Sequence, residues 1–175
     1  MQPDLENLKK RISESRDLVD RIITKMPGYS GYVEKGEMNE ADRVVRGFIA
    51  ERFLQYKRIV EAVTREYSGQ GNMTLLVDLD SLNSVLEKLY KKCAYADYGK
   101  TGAMSHVTVS QADSDKILEF DWRMIAKADE LEPEMVKFEG AAPEELEAEI
   151  KRVRKLLDEF EKSFDQRNNV LLEVI

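Results

Sequence analysis

The chain has 175 residues, of which 42% are hydrophobic and 35% are charged, and its formal net charge is −7. The hydrophobic fraction is sufficient for a buried core, which excludes disordered and collagen-like chains and predicts a single domain over residues 1–175. The acidic balance argues against nucleic acid and anionic membranes as partners, because both attract proteins by phosphate or headgroup charge.

Three further features predict a cytoplasmic protein without a membrane partner. No apolar run approaches the roughly 20 residues needed to cross a bilayer. Residues 1–4 have neither the basic nor the apolar region of a signal peptide. The only cysteine, Cys93, has no second thiol with which to form an internal disulfide.

Two helices are predicted first, because apolar residues recur at intervals of three or four. The first helix ends at Pro27-Gly28, since proline lacks an N–H group and glycine accepts a left-handed cap. The second begins at Asn39, with Asp42 as a capping signal, and ends before the polar segment 68–72. Their inner positions are Leu5, Leu8, Ile12, Ser15, Val19, Ile22 and Met26, then Val45, Phe48, Ile49, Arg52, Tyr56, Ile59, Val63 and Tyr67.

Three more helices follow in the same way. The third extends to Cys93, the fourth begins at a serine cap, Ser110, and the fifth begins at Pro143. Pro133 is expected to end or kink the fourth helix. Their inner positions are Leu75, Leu79, Leu82, Leu86, Leu89 and Cys93; Ile117, Phe120, Met124, Ala128 and Leu131; and Leu146, Ile150, Val153, Leu157, Phe160 and Phe164.

The predicted fold is therefore an all-α, antiparallel up-and-down bundle of four to five helices. Each helix has one apolar face that needs a partner, and no internal repeat indicates a solenoid. The one strand-like fragment, 106–109, is too short to build a sheet.

No motif predicts a catalytic residue, a metal site or a cofactor. Residues 94–101 match a relaxed phosphate-loop pattern, but a helix rather than a strand precedes them. Glu34, Glu37 and Glu40 have only part of the spacing of helical magnesium sites. The single histidine, His106, cannot supply a di-iron or a zinc site of the usual kind. Cys93 continues an apolar face and is expected to be a buried thiol.

The most informative segments are two connections rich in tyrosine and glycine. Residues 27–32 link the first two helices, and residues 95–102 link the third and fourth. In an up-and-down bundle both connections lie at the same end. The predicted binding residues there are Tyr29, Tyr32, Tyr95, Tyr98 and Lys100. The alternative is a plug of packed rings that closes the core.

The same segments carry a resemblance. Pro-Gly-Tyr-Ser-Gly-Tyr at 27–32, Ala-Asp-Arg at 41–43 and Tyr-Ala-Asp-Tyr-Gly at 95–99 resemble a group of small uncharacterised prokaryotic helical proteins. Lys100-Thr101 departs from the aromatic residue expected after that glycine. The resemblance implies helices and a prokaryotic origin, and it implies no chemistry.

Together these observations favour a non-catalytic protein that binds another protein through its tyrosine connections or a helix face. The apolar C-terminal segment 170–175 is expected to pack on its own bundle or on a second copy in a homodimer. The alternative is a magnesium-dependent hydrolase of the helical-bundle type that acts on a phosphorylated small molecule.

Overall fold

The structure, a computed structural model, describes residues 16–26, 29, 38–95 and 111–174. Helix α1 passes through residues 16–25, and four long helices follow: α2 (Met38–Tyr67), α3 (Met73–Ala94), α4 (Gln111–Glu139) and α5 (Leu146–Val174). These ranges contain no strand. The predicted all-α bundle is confirmed, and it has five helices over the part of the chain described.

The four long helices form two hairpins that lie side by side. Short turns make α2 antiparallel to α3 and α4 antiparallel to α5. Contacts between α3 and α5 join Ser81 to Arg154, Lys88 to Glu161 and Lys92 to Asp165, always with the same separation of 73 residues. That constant separation means that α3 and α5 are parallel, and α2 is therefore parallel to α4.

The order around the bundle is α2, α3, α5, α4. Each long helix contacts two others, and the described parts of the diagonal pairs, α2 with α5 and α3 with α4, have no close backbone contact. The four long helices alternate in direction along the chain, as predicted. Consecutive helices α3 and α4 are nevertheless diagonal, so the connection 96–110 links opposite corners of the bundle.

The ends of the helices follow from local chemistry. The Asn72 side chain accepts a hydrogen bond from the backbone N of Leu75 at 3.1 Å, which satisfies one of the free N–H groups at the start of α3. Pro133 does not end α4, which continues to Glu139. The reason is that Met135 and Phe138, beyond the proline, are both buried in the core.

The core lies where the four inner faces meet. Phe53 of α2 and Phe160 of α5 pack edge to face across the diagonal, with ring centroids 4.8 Å apart. All six predicted inner positions of the fifth helix are buried, including Leu157. The strand-like fragment 106–109 and the side chains of 170–175 lie outside the described residues.

Helix α1 lies against α2 and α4. Lys25 of α1 and Arg52 of α2 both form ion pairs with Asp129 of α4. The Arg21 guanidinium lies 5.7 Å from the ring centroid of Trp122 on α4. One carboxylate on α4 therefore holds two neighbouring helices, and α1 covers the side of the bundle formed by the parallel pair.

Tyr56 joins α2 to α4 within the core and carries a pH-dependent part of the stability. Its hydroxyl donates a hydrogen bond to the Ala128 carbonyl oxygen at 3.4 Å. Burial raises the pKa of Tyr56 to about 12, and the nearby Arg52 opposes that shift only in part.

We expect the native protein to lose stability relative to Tyr56→Phe as the pH rises from 10 to 12. The phenol ionises near pH 10 in the unfolded chain but near pH 12 in the folded one, so its contribution is complete below pH 10 and declines above it. Urea unfolding of both proteins at several pH values measures the difference. Parallel pH profiles would contradict the raised pKa.

Candidate binding site at one end of the bundle

One end of the bundle collects the starts of α2 and α4 and the end of α3, and we call it the loop end. The segment 27–37 leads into α2 there, and the segment 96–110 connects α3 to α4. Tyr29 and Tyr95 are the described residues of the two tyrosine- and glycine-rich connections, and the meeting of the two segments at one end stays a prediction. The side chains described at this end form two polar clusters and one exposed aromatic pair.

The first cluster is a buried ion pair at the start of α2. Arg46 Nε donates a hydrogen bond to Asp42 Oδ2 at 2.8 Å, and only 8% of Arg46 and 4% of Asp42 are exposed. Arg46 NH1 also donates to the backbone oxygen of Cys93 at 2.9 Å. That carbonyl belongs to the last turn of α3, so Arg46 contributes to the cap of α3 from a neighbouring helix.

The second cluster joins Tyr29 to α4. The Tyr29 hydroxyl donates a hydrogen bond to Asp121 Oδ2 at 3.2 Å, and both residues have no exposed surface. Asp121 lies near the start of α4, which runs beside α2 and parallel to it. The contact between Tyr29 and Asp121 therefore lies at about the same height along the bundle axis as Arg46. A carboxyl group in such a position needs donors, because a buried polar group without them costs folding energy.

The aromatic pair lies at the end of α3. Tyr95 is 70% exposed, and its ring packs edge to face on Tyr90 with centroids 6.2 Å apart. A hydrogen bond between the two side chains raises the pKa of Tyr90. Tyr95 is held at its backbone too, since its N–H donates to the Lys91 carbonyl at 2.9 Å. The loop end therefore presents a positioned, solvent-facing ring.

The predicted binding residues fall in different places. Tyr29 is buried and Tyr95 is exposed, so one ring packs in the core and the other faces solvent. Tyr32, Tyr98 and Lys100 lie outside the described residues. The gathering of four rings around Lys100 stays a prediction.

The sequence interpretation missed the buried charges. It treated Asp42 as a helix cap, whereas α2 begins at Met38 and Asp42 pairs with Arg46 one turn later. The available signal was an Asp and an Arg four residues apart, interleaved with Ala41, Val45 and Ile49 on one apolar face. Asp121 gave no comparable signal, because its partner is 92 residues away.

The structure describes some of the residues that the sequence analysis considered for metal binding or thiol chemistry. Cys93 is buried in the core, as predicted. Glu34, Glu37 and His106, together with the Glu40 side chain, lie outside the described residues. Within the described residues, no three Asp, Glu, His or Cys side chains are close enough together to hold a metal ion.

Comparisons with known proteins give no relative from which a function could be transferred. Neither the protein-family models, nor the curated proteins, nor the solved structures include a match to this chain. Over the described residues, no helix combines the length and the apolar character required to cross a membrane.

Proposed function

We propose that this chain is a non-catalytic binding protein that holds a protein partner at the loop end of its bundle. The observation that carries the proposal is the placement of its buried charges. Of the four charged side chains buried among the described residues, three lie at the loop end: Asp42, Arg46 and Asp121. The fourth, Glu149, lies near the start of α5 at the opposite end.

Buried charges are a costly way to hold helices together. Removing an ion pair from water costs several kcal/mol per ion, and apolar residues of similar size often stabilise a fold as well or better. Arg46 and Asp42 nevertheless occupy inner positions, and Arg46 ties the end of α3 to the start of α2. Such a pair holds the end of α3, from which the second tyrosine-rich connection leaves, against α2, which supports a rigid platform for recognition.

The exposed ring of Tyr95 supports a protein as the partner. Tyrosine is enriched at protein interfaces because it offers a large, rigid contact face and a polar tip. Tyr95 is fixed by Tyr90 and by its own backbone hydrogen bond, so little conformational freedom is lost when a partner covers it. Lys91, 61% exposed at its side chain, adds a cation beside it, engaged only with Glu87 among the described residues.

A photocrosslinking experiment tests the proposal. Benzoylphenylalanine is placed at position 95 and, as a matched control, at position 136, because Val136 is 65% exposed but lies near the far end of α4. We expect irradiation of the producing cells to give one discrete protein adduct from position 95 and none from position 136.

Other outcomes contradict the proposal. Adducts of equal yield from both positions would show non-specific contact, and no adduct from position 95 would remove the loop end as the binding surface. A rise in melting temperature with Mg²⁺ or Mn²⁺, lost in carboxylate variants, would favour the magnesium-dependent hydrolase instead.

A further inference from the structure

An open groove lies between α2 and α3 at the end of the bundle opposite the loop end. It has a volume of about 330 Å³ and is lined by Glu61, Thr64, Arg65, Asp80 and Asn83. The lining residues belong to the last turns of α2 and the first turns of α3, beside the turn 68–72. Its size matches the lower end of the range for small-molecule sites, about 300–1,000 Å³.

The groove carries one cation and one anion that have no ionic partner within the described residues. Arg65 uses its Nε to donate a hydrogen bond to the Glu61 backbone oxygen at 3.3 Å, and no carboxylate pairs with its guanidinium there. No Lys or Arg pairs with Asp80 over the same residues. The second acid, Glu61, is already 3.5 Å from Lys57 Nζ.

Thr64 and Asn83 supply the remaining polar atoms of the lining. Thr64 Oγ1 donates its proton to the Val60 carbonyl oxygen at 2.7 Å, so only its lone pairs remain for a ligand. Asn83 Oδ1 is shielded from solvent and has no donor. A buried acceptor without a donor is uncommon in native proteins.

We propose that the groove binds a small zwitterion with a primary ammonium group and a carboxylate, the chemistry of a free amino acid. The ligand carboxylate accepts hydrogen bonds from the Arg65 guanidinium, which suits carboxylates because it can donate two parallel bonds. The ligand ammonium donates to the Asp80 carboxylate. This site is independent of the loop end.

The charges distinguish this ligand from two simpler ones. Ca²⁺ needs six or more oxygen ligands around one point, and the Arg65 guanidinium repels any metal cation. A phosphate or another bare anion meets two carboxylates and a single guanidinium. Only a ligand with both charges pairs the cation and the anion of the groove together.

NMR titration of the ¹⁵N-labelled full chain tests the proposal. The probes are a panel of free L-amino acids, with ethylamine and propionate as analogues that each lack one charged group. We expect at least one amino acid to shift the backbone amide signals of 61–65 and 80–83, and both analogues to bind at least tenfold more weakly.

Variants complete the test. Arg65→Gln and Asp80→Asn are each expected to weaken the best amino acid at least tenfold. The matched controls Arg123→Gln and Asp158→Asn change exposed residues of α4 and α5 away from the groove and should leave binding unchanged. The melting temperature of each variant confirms that it folds.

Three results would contradict the proposal that the groove binds a zwitterion. They are no shift in 61–65 and 80–83 with any amino acid, equal binding of ethylamine alone, or an unchanged affinity in Arg65→Gln and Asp80→Asn.

Discussion

Replacement of Phe160 by alanine is expected to lower the free energy of unfolding by about 3–5 kcal/mol. Phe160 has no exposed surface and lies at the centre of the bundle, where its ring contacts Phe53 of α2 and Phe164 of its own helix. The contact with Phe53 crosses the diagonal between α2 and α5, whose backbones do not touch. Alanine would leave a cavity that no single helix can close, because both neighbouring helices hold α5 in place.

Equilibrium unfolding in urea measures this effect. The matched control is Leu156→Ala, which changes the same helix at a half-buried position and should cost clearly less. A loss below about 1 kcal/mol in Phe160→Ala would mean that the helices close around the missing ring. The diagonal contact would then not be the centre of the core.

The burial of Phe160 could be predicted from the sequence. An apolar residue at every third or fourth position from Leu146 to Phe164 indicates a helix with a single buried face. All six of these positions are buried. The helices that lie next to α5 in the bundle could not be predicted in this way. The apolar pattern of α3 does not say whether α4 or α5 lies beside it, and contacts such as those of Lys88 and Lys92 with Glu161 show that α5 does.

Helix α4 shows that apolar periodicity also fails to predict the burial of some single residues. Periodicity placed Phe120 on the inner face, but Phe120 is partly exposed while Asp121 is completely buried. A carboxyl group can replace an aromatic ring there because Tyr29, far away in the chain, donates a hydrogen bond to it. A pattern of hydrophobicity contains no information about such a donor, and the candidate site is built from two contacts of this kind.

The second large effect is expected at the buried ion pair of the loop end. Arg46→Met should lower the free energy of unfolding by about 3–5 kcal/mol, because it removes the Arg46 guanidinium from beside the buried Asp42 carboxylate. The same change removes the donor that caps the Cys93 carbonyl at the end of α3. Methionine keeps much of the length of the side chain, so the loss reports the charge and its hydrogen bonds rather than a cavity.

Two comparisons separate these contributions. Lys151→Met breaks the exposed pair with Glu147, which has the same four-residue spacing, and should leave the melting temperature nearly unchanged. The double variant Asp42→Leu with Arg46→Met removes both charges and should recover most of the loss, since a buried ion pair is replaceable by apolar packing. If the double variant is no more stable than Arg46→Met alone, the Cys93 cap and not the ion pair holds the loop end together. If Arg46→Met costs no more than Lys151→Met, the pair is open to water, and the main support for a rigid platform at the loop end is lost.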